Sequence, residues 1–109
     1  MEHVKKYSFA DSPERRVDAS MVIKDLFTEQ DAPFDLVIAD VDGDHGTHVN
    51  KLSDRVYFVL EGSGIVIAGD NKFEVVPLDV VSIPKGTAHS ISGKLRVVII
   101  TAPPHVSGN

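Results

Sequence analysis

The sequence predicts a single all-β domain, either a sandwich or a small barrel, and two observations support this fold class. Runs rich in valine and isoleucine recur at short intervals between residues 34 and 101, and turn-forming residues separate them. The chain has 109 residues, 42% of them hydrophobic, which is the size of one domain and enough apolar material for one core. This size argues against a two-domain enzyme with separate cofactor and substrate lobes.

The runs predict strands in a definite order along the chain. We expect strands at 34–41, 56–60, 65–68, 73–76, 80–83 and 95–101, with turns at 42–44, 61–64, 69–71, 77, 84–86 and 92–93. In 55–60, alternate residues point to opposite faces and both faces are largely apolar, which is typical of a strand covered on both sides. Segment 21–29 has apolar pairs at helical spacing, but it suits a short strand equally well.

Composition excludes several classes of function. With 11 basic and 16 acidic residues the net charge is −5, which disfavours nucleic acid and anionic membranes as partners. The chain has no cysteine, so disulfides, thiolate zinc sites, iron–sulfur clusters and cysteine nucleophiles are excluded. The first residues lack the apolar region of a secretory signal, and no apolar run is long enough to span a bilayer. We therefore expect a cytoplasmic protein.

The five histidines differ in what their positions indicate. His3 and His105 lie near the termini, where solvated side chains are the default. His48 shares a face with Asn50 on an extended chain, whereas His45 has the opposite parity, so we interpret His45 as a loop histidine that faces elsewhere. His89 follows a proline and a glycine that end a predicted strand.

Two stretches of the chain carry motifs. They are Arg-Val-Tyr-Phe-Val-Leu-Glu-Gly-Ser-Gly at 55–64 and Leu-Asp-Val-Val-Ser-Ile-Pro-Lys-Gly-Thr-Ala-His at 78–89, the second with a Pro-x-Gly-x-x-His core. Together they resemble the paired motifs of the cupin family. The resemblance implies an all-β, single-domain cupin-type jelly-roll β-barrel. It divides the chain into an N-terminal arm with a short strand or helix at 1–30, the barrel at 31–103 and a tail at 104–109. Dimers are common in this family, so we also expect a homodimer that covers an edge strand or an outward apolar face.

The same resemblance implies where a metal would bind. In the family, His-x-His followed by Glu in the first motif and His in the second hold a divalent ion. The matching residues here are His48, Asn50, Arg55 and His89, so two of the four ligands differ. A neutral amide is a poor ligand for zinc or iron, and a guanidinium repels a divalent ion. We therefore expect either no cofactor or a weakly bound Zn, Fe, Mn or Ni ion on His48, His89 and Asn50.

Arg55 points to a different kind of site. A guanidinium that faces inward from a barrel strand is costly to bury unless it is paired. Its partner is either an internal acid (Asp40, Asp54 or Asp79) or an acidic ligand, unless the side chain extends to the barrel mouth. If the partner is a ligand, Arg55 makes a bidentate contact to its anionic group. Further hydrogen bonds to the ligand then come from His48, His89, Asn50 and Tyr57.

The leading hypothesis is a small cupin that binds a small anionic metabolite, a carboxylate or a sugar phosphate. Metal-independent isomerase or epimerase chemistry is compatible with it, because His48 and His89 can act as acid and base and Tyr57 can donate a proton. The first alternative is a metal-dependent dioxygenase or lyase that uses His48 and His89, with Asn50 or His45. The second is a non-catalytic module for ligand sensing or storage. Whether the protein is an enzyme stays open.

Overall fold

A computed structural model describes residues 4–104, and this part of the chain forms strands and no helix. The all-β prediction is therefore confirmed. No helix in the described range has the length and hydropathy needed to cross a membrane. His3, His105 and all but the first residue of the expected tail lie outside the described residues. The strands are β1 (Glu14–Asp18), β2 (Met21–Phe27), β3 (Asp35–Asp44), β4 (Asp54–Ala68), β5 (Asn71–Val75), β6 (Val80–Ile83) and β7 (His89–Ala102).

The strands form one antiparallel sheet that curls around a single core. β7 is central and pairs with β3 on one side and with β4 on the other. β2 and β1 continue the sheet beyond β3, and β5 and β6 each pair with one half of β4. Buried side chains from every strand except β1 belong to one cluster. The sheet therefore folds over one shared apolar interior and forms the barrel around it.

The alternation predicted for β4 places its side chains on two faces. Arg55, Tyr57 and Val59 share the inner face, where Tyr57 and Val59 are 2% and 0% exposed. On the outer face Val56 and Phe58 are half-buried, and they pair with Ile100 and Val98 of β7. The homodimer expected on an edge strand or an outward apolar face stays a prediction.

Three of the predicted turns are wrong, because those residues belong to continuous strands. β4 runs unbroken through 61–64 and β7 through 92–93, and the predicted turn at 42–44 also belongs to a strand. Gly93 lies opposite both Gly64 and Gly43, so glycines from three neighbouring strands form a row across the sheet. A Cβ on Gly64 would lie 2.1 Å from the Ser92 carbonyl oxygen. These glycines allow a sharp bend at a barrel corner.

Segment 21–29 contains a strand, so the helix alternative is wrong and the short-strand alternative is correct. β2 pairs with β3 along most of its length, and Met21 and Ile23 are buried in the core. This burial follows the two-residue period of a strand, and the pairing outweighs the helical spacing of the apolar residues. β1 and β2, in the segment that we assigned to an arm, thus extend the same sheet.

Candidate functional site

A cavity of about 540 Å³ opens between β2, the loop at 45–50 and the inner face of β4 and β7. A wider groove of about 690 Å³ lies elsewhere on the sheet, but it contains none of the buried, unpartnered side-chain atoms of the described chain. Two of these atoms belong to residues that line the smaller cavity. We therefore place the candidate site there. Its polar lining consists of Arg15, Asp25, Thr28, Asp35, His45, His48, Asn50, Arg55 and Thr101.

Arg55 extends into this cavity from the inner face of β4. Its Nη2 donates a hydrogen bond of 3.2 Å to the Thr101 hydroxyl on the neighbouring strand, and the guanidinium also bonds the Tyr57 side chain. Its Nε–H is buried and has no partner among the described residues. No carboxylate in the described range forms an ion pair with Arg55.

The internal acids considered as partners of Arg55 are all engaged elsewhere. The Asp40 carboxylate forms an ion pair of 2.7 Å with Arg96. Asp54 accepts a hydrogen bond of 2.9 Å from the Lys85 backbone N–H, and Asp79 accepts one of 2.9 Å from the Val76 backbone N–H. The positive charge of Arg55 is therefore not balanced by these acids.

His89 is held in one tautomer by the backbone. The side chain is 2% exposed, and Nδ1 lies 2.9 Å from the Thr87 carbonyl oxygen. A carbonyl only accepts hydrogen bonds, so Nδ1 carries the proton and Nε2 keeps a lone pair. Nε2 is buried without a partner. Burial lowers the pKa of His89 below its usual value near 6.5, and Arg55 lowers it further, so the ring is neutral at neutral pH.

Asn50 lines the cavity, and Tyr57 is buried beside Arg55 and His89. The Tyr57 ring meets the His89 ring edge-on at a centroid distance of 6.1 Å. Burial raises the pKa of Tyr57 above its usual value near 10, against the effect of Arg55, so the hydroxyl stays protonated. Asn50 is 7% exposed, and its side-chain Nδ2 is a second buried donor without a partner. Its backbone carbonyl accepts a 2.7 Å hydrogen bond from the Gly86 N–H.

His45 lines the cavity, so the prediction that it faces elsewhere is wrong. The alternation rule fails because residues 45–47 do not form a regular strand. Nδ1 of His45 lies 2.8 Å from Oδ2 of Asp18, and the ring stacks on His48 at a centroid distance of 4.6 Å. Burial lowers the pKa of His45, although the Asp18 carboxylate acts in the opposite direction.

Ser20 fixes the carboxylate that holds His45. The Ser20 N–H and hydroxyl both donate to Oδ1 of Asp18, at 2.8 and 2.6 Å, which leaves Oδ2 for the histidine. The two Ser20 hydrogen bonds are the largest causes of the lowered pKa of Asp18, which is therefore ionised at neutral pH. No local signal in the sequence marked Asp18, because the β1–β2 hairpin brings it to His45 from 27 positions away.

His48 occupies the rim of the cavity and is exposed. Its Nε2 lies 3.3 Å from the His45 carbonyl oxygen, while its backbone N–H and carbonyl pair with those of His89. In residues 4–104, no group of three or more histidine, aspartate or glutamate side chains is placed to hold a metal ion. With Arg55 at one of the family's ligand positions, the described residues do not fit a resident divalent metal.

Arg15 and Asp25 are further cavity residues that the sequence analysis did not identify. Arg15 on β1 and Asp25 on β2 form an ion pair across the two strands, with Nε 2.9 Å from Oδ2. The charge of Arg15 is thus balanced, in contrast to that of Arg55. Thr101 was also missed, although it lies directly opposite Arg55 in the pairing of β4 with β7. A single polar residue at the end of an apolar strand gives no signal of its own.

The sequence and the structure were compared with those of known proteins. No family model matches the chain. An uncharacterised protein of Methanocaldococcus jannaschii is 32% identical over 62 residues, which is 53% of this chain and only half the length of that protein. KdgF from Halomonas sp. superposes with a TM-score of 0.84 at 18% identity, covering 93% of this chain and 96% of its own.

Two further solved structures share the fold. Pac13 of Streptomyces, a nucleoside dehydratase, has a TM-score of 0.84 at 19% identity, covering 95% of this chain and 86% of its own. The cupin domain of Schizosaccharomyces pombe Cnp3 has a TM-score of 0.76 at 20% identity, covering 92% of this chain and 74% of its own. At these identities the likeness concerns the fold alone. The chain therefore has a cupin-type fold, as its two motifs predict.

Proposed function

We propose that the barrel binds a small anionic metabolite, a carboxylate or a sugar phosphate, at Arg55. The observation that carries this proposal is the half-buried guanidinium, which has no carboxylate partner in the described chain and a buried, unbonded Nε–H. A buried charge or donor without a partner is costly. An anion in the cavity removes that cost, because its oxygens accept from the guanidinium.

The surroundings of Arg55 support the same assignment. Asn50 offers a second unbonded donor, and Thr101 anchors the guanidinium so that it loses little freedom when a ligand binds. The volume of about 540 Å³ is in the range of small-molecule sites. Pac13, which has the same fold, has been solved with uridine bound. A barrel of this shape is thus large enough for a metabolite.

The catalytic form of the proposal is metal-independent acid–base chemistry, as in an isomerase or epimerase. His89 is neutral and keeps a lone pair on Nε2, and Tyr57 beside it keeps its proton. A base and an acid next to an anchored anion are the groups that a proton transfer needs. A sensing or storage module would use the same anchor and bind the ligand without turnover.

The proposal is tested with acids and their uncharged counterparts. We expect lactate and succinate to raise the melting temperature of the protein at constant ionic strength, and glucose 6-phosphate to do so if the cavity admits a phosphate. Lactamide, succinamide and glucose should have little effect, because they cannot pair with Arg55. The measurement is thermal unfolding followed by circular dichroism. A rise that is no larger for the acids than for their neutral counterparts would contradict an anion site.

A further inference from the structure

We infer that the anion is a small monocarboxylate that also carries a hydroxyl group. This inference rests on the proposed Arg55 site and narrows its ligand. It comes from hydrogen-bonding atoms without partners on three residues that line the cavity, Asn50, Arg55 and His45, and on the buried His89. Some of these atoms are donors and others are acceptors, so a ligand that only accepts hydrogen bonds would leave part of the site unsatisfied.

The unpartnered donors are on Arg55 and Asn50. The Arg55 Nε–H and the Asn50 amide nitrogen are both buried without a partner. A carboxylate has two oxygens that accept, and it can therefore serve both donors. These two donors account for the acid group of the ligand, but they do not require a hydroxyl group.

The unpartnered acceptors are on two histidines. His89 donates from Nδ1 to the Thr87 carbonyl, and His45 donates from Nδ1 to the Asp18 carboxylate. Since those oxygens can only accept, each neutral ring has its remaining lone pair on Nε2. Nε2 of His89 is buried and has no hydrogen-bond partner in the described chain, but His89 is not among the residues that line the cavity, whereas His45 is. A bare carboxylate cannot donate to these nitrogens, whereas a hydroxyl group can.

The charges of the lining select a single negative charge. The cavity is lined by two arginines and two aspartates, and Arg15 is already paired with Asp25. Arg55 is therefore the cation available to a ligand, and it balances one unit of charge. A phosphate monoester carries close to two negative charges at neutral pH. It would bring one negative charge more than Arg55 balances, so a carboxylate fits better.

The test compares acids that differ by one hydroxyl group. We expect the full chain to bind lactate at least about tenfold more tightly than propionate, and glycerate at least about tenfold more tightly than propionate, by NMR titration. If lactate and propionate bind equally, the inference is overturned and the Arg55 site stands. If none of these acids binds, the Arg55 site fails and the inference falls with it.

Asp18→Asn is expected to move the lone pair of His45 from Nε2 to Nδ1 while the imidazole ring stays in place. Oδ1 of Asp18 accepts both Ser20 donors, so the amide oxygen should stay there and the NH₂ should face Nδ1 of His45. Nδ1 must then accept, which moves the ring proton to Nε2. The ¹⁵N shifts of the imidazole report this change of tautomer directly. Asp70→Asn, in the turn between β4 and β5, is the matched control.

His89→Phe removes the second acceptor. The preference for lactate over propionate should fall in at least one of Asp18→Asn and His89→Phe, and it should persist in Asp70→Asn. A preference that is unchanged in both Asp18→Asn and His89→Phe would overturn the role of the histidines. Asp18→Asn alters an exposed residue, so it gives an answer even if His89→Phe does not fold.

Discussion

Replacing Arg55 by methionine is expected to weaken the binding of an acidic ligand by at least about 30-fold, or about 2 kcal/mol. The loss follows from the removal of the charged donors that contact the anion. The same change is expected to stabilise the ligand-free protein by about 1 kcal/mol, because a half-buried guanidinium without a counter-charge gives way to an apolar side chain. Isothermal titration gives the affinity, and urea unfolding gives the free energy of unfolding.

Arg15→Met is the matched control for this result. Arg15 lines the same cavity, but its charge is already paired with Asp25. We therefore expect Arg15→Met to retain most of the affinity and to gain no stability. Equal losses of affinity in the two variants would mean that the cavity attracts anions only through its general charge. That outcome would contradict a specific anchor at Arg55.

Gly64→Ala is expected to destabilise the fold by about 3 kcal/mol. The new Cβ would lie 2.1 Å from the Ser92 carbonyl oxygen, and that backbone is fixed by the pairing of β4 with β7. The φ of Gly64 does not lie in the left-handed region. The whole loss of stability therefore comes from the close approach of the two strands. Urea unfolding of the two proteins measures the difference.

Gly46→Ala separates this packing effect from the backbone effect of glycine. Gly46 has a φ of +80°, but a Cβ there would meet nothing within 4 Å. We expect its loss to cost only about 1 kcal/mol, the strain of an L-residue in the left-handed region. If Gly64→Ala cost no more than Gly46→Ala, the strands could separate easily at the corner. The row of glycines would then not be required for the bend.

Much of the fold could be predicted, because its signals are local. The apolar runs predicted most of the strand-forming segments between residues 34 and 101, and the alternation in 55–60 placed Tyr57 on the same face as Arg55. Gly64 and Gly93 were misinterpreted because a glycine that ends a strand and one that bends it look the same in the sequence. They are distinguished by how closely another strand approaches, which depends on residues about 30 positions away.

Part of the candidate site could be predicted, because a motif marks it. Arg55 and His89 belong to motifs, and the structure places both on the inner face of the barrel. Asp18 and His45 could not be predicted, since their contact forms only when the β1–β2 hairpin lies against the loop at 45–50. His48 matched a ligand position of the family, yet its side chain is exposed and its Nε2 faces a carbonyl.

We expect the Arg55 guanidinium to receive the acid group of the ligand, and NMR of the arginine Nε–H signals tests this contact. Adding glycerate should shift the Arg55 Nε proton downfield and slow its exchange with water, because a buried, unbonded donor gains a charged acceptor. The Arg15 Nε signal should change little, since it is already bonded to Asp25. If saturating glycerate stabilises the protein while the Arg55 signal stays in place, the anion binds elsewhere and Arg55 is not its anchor.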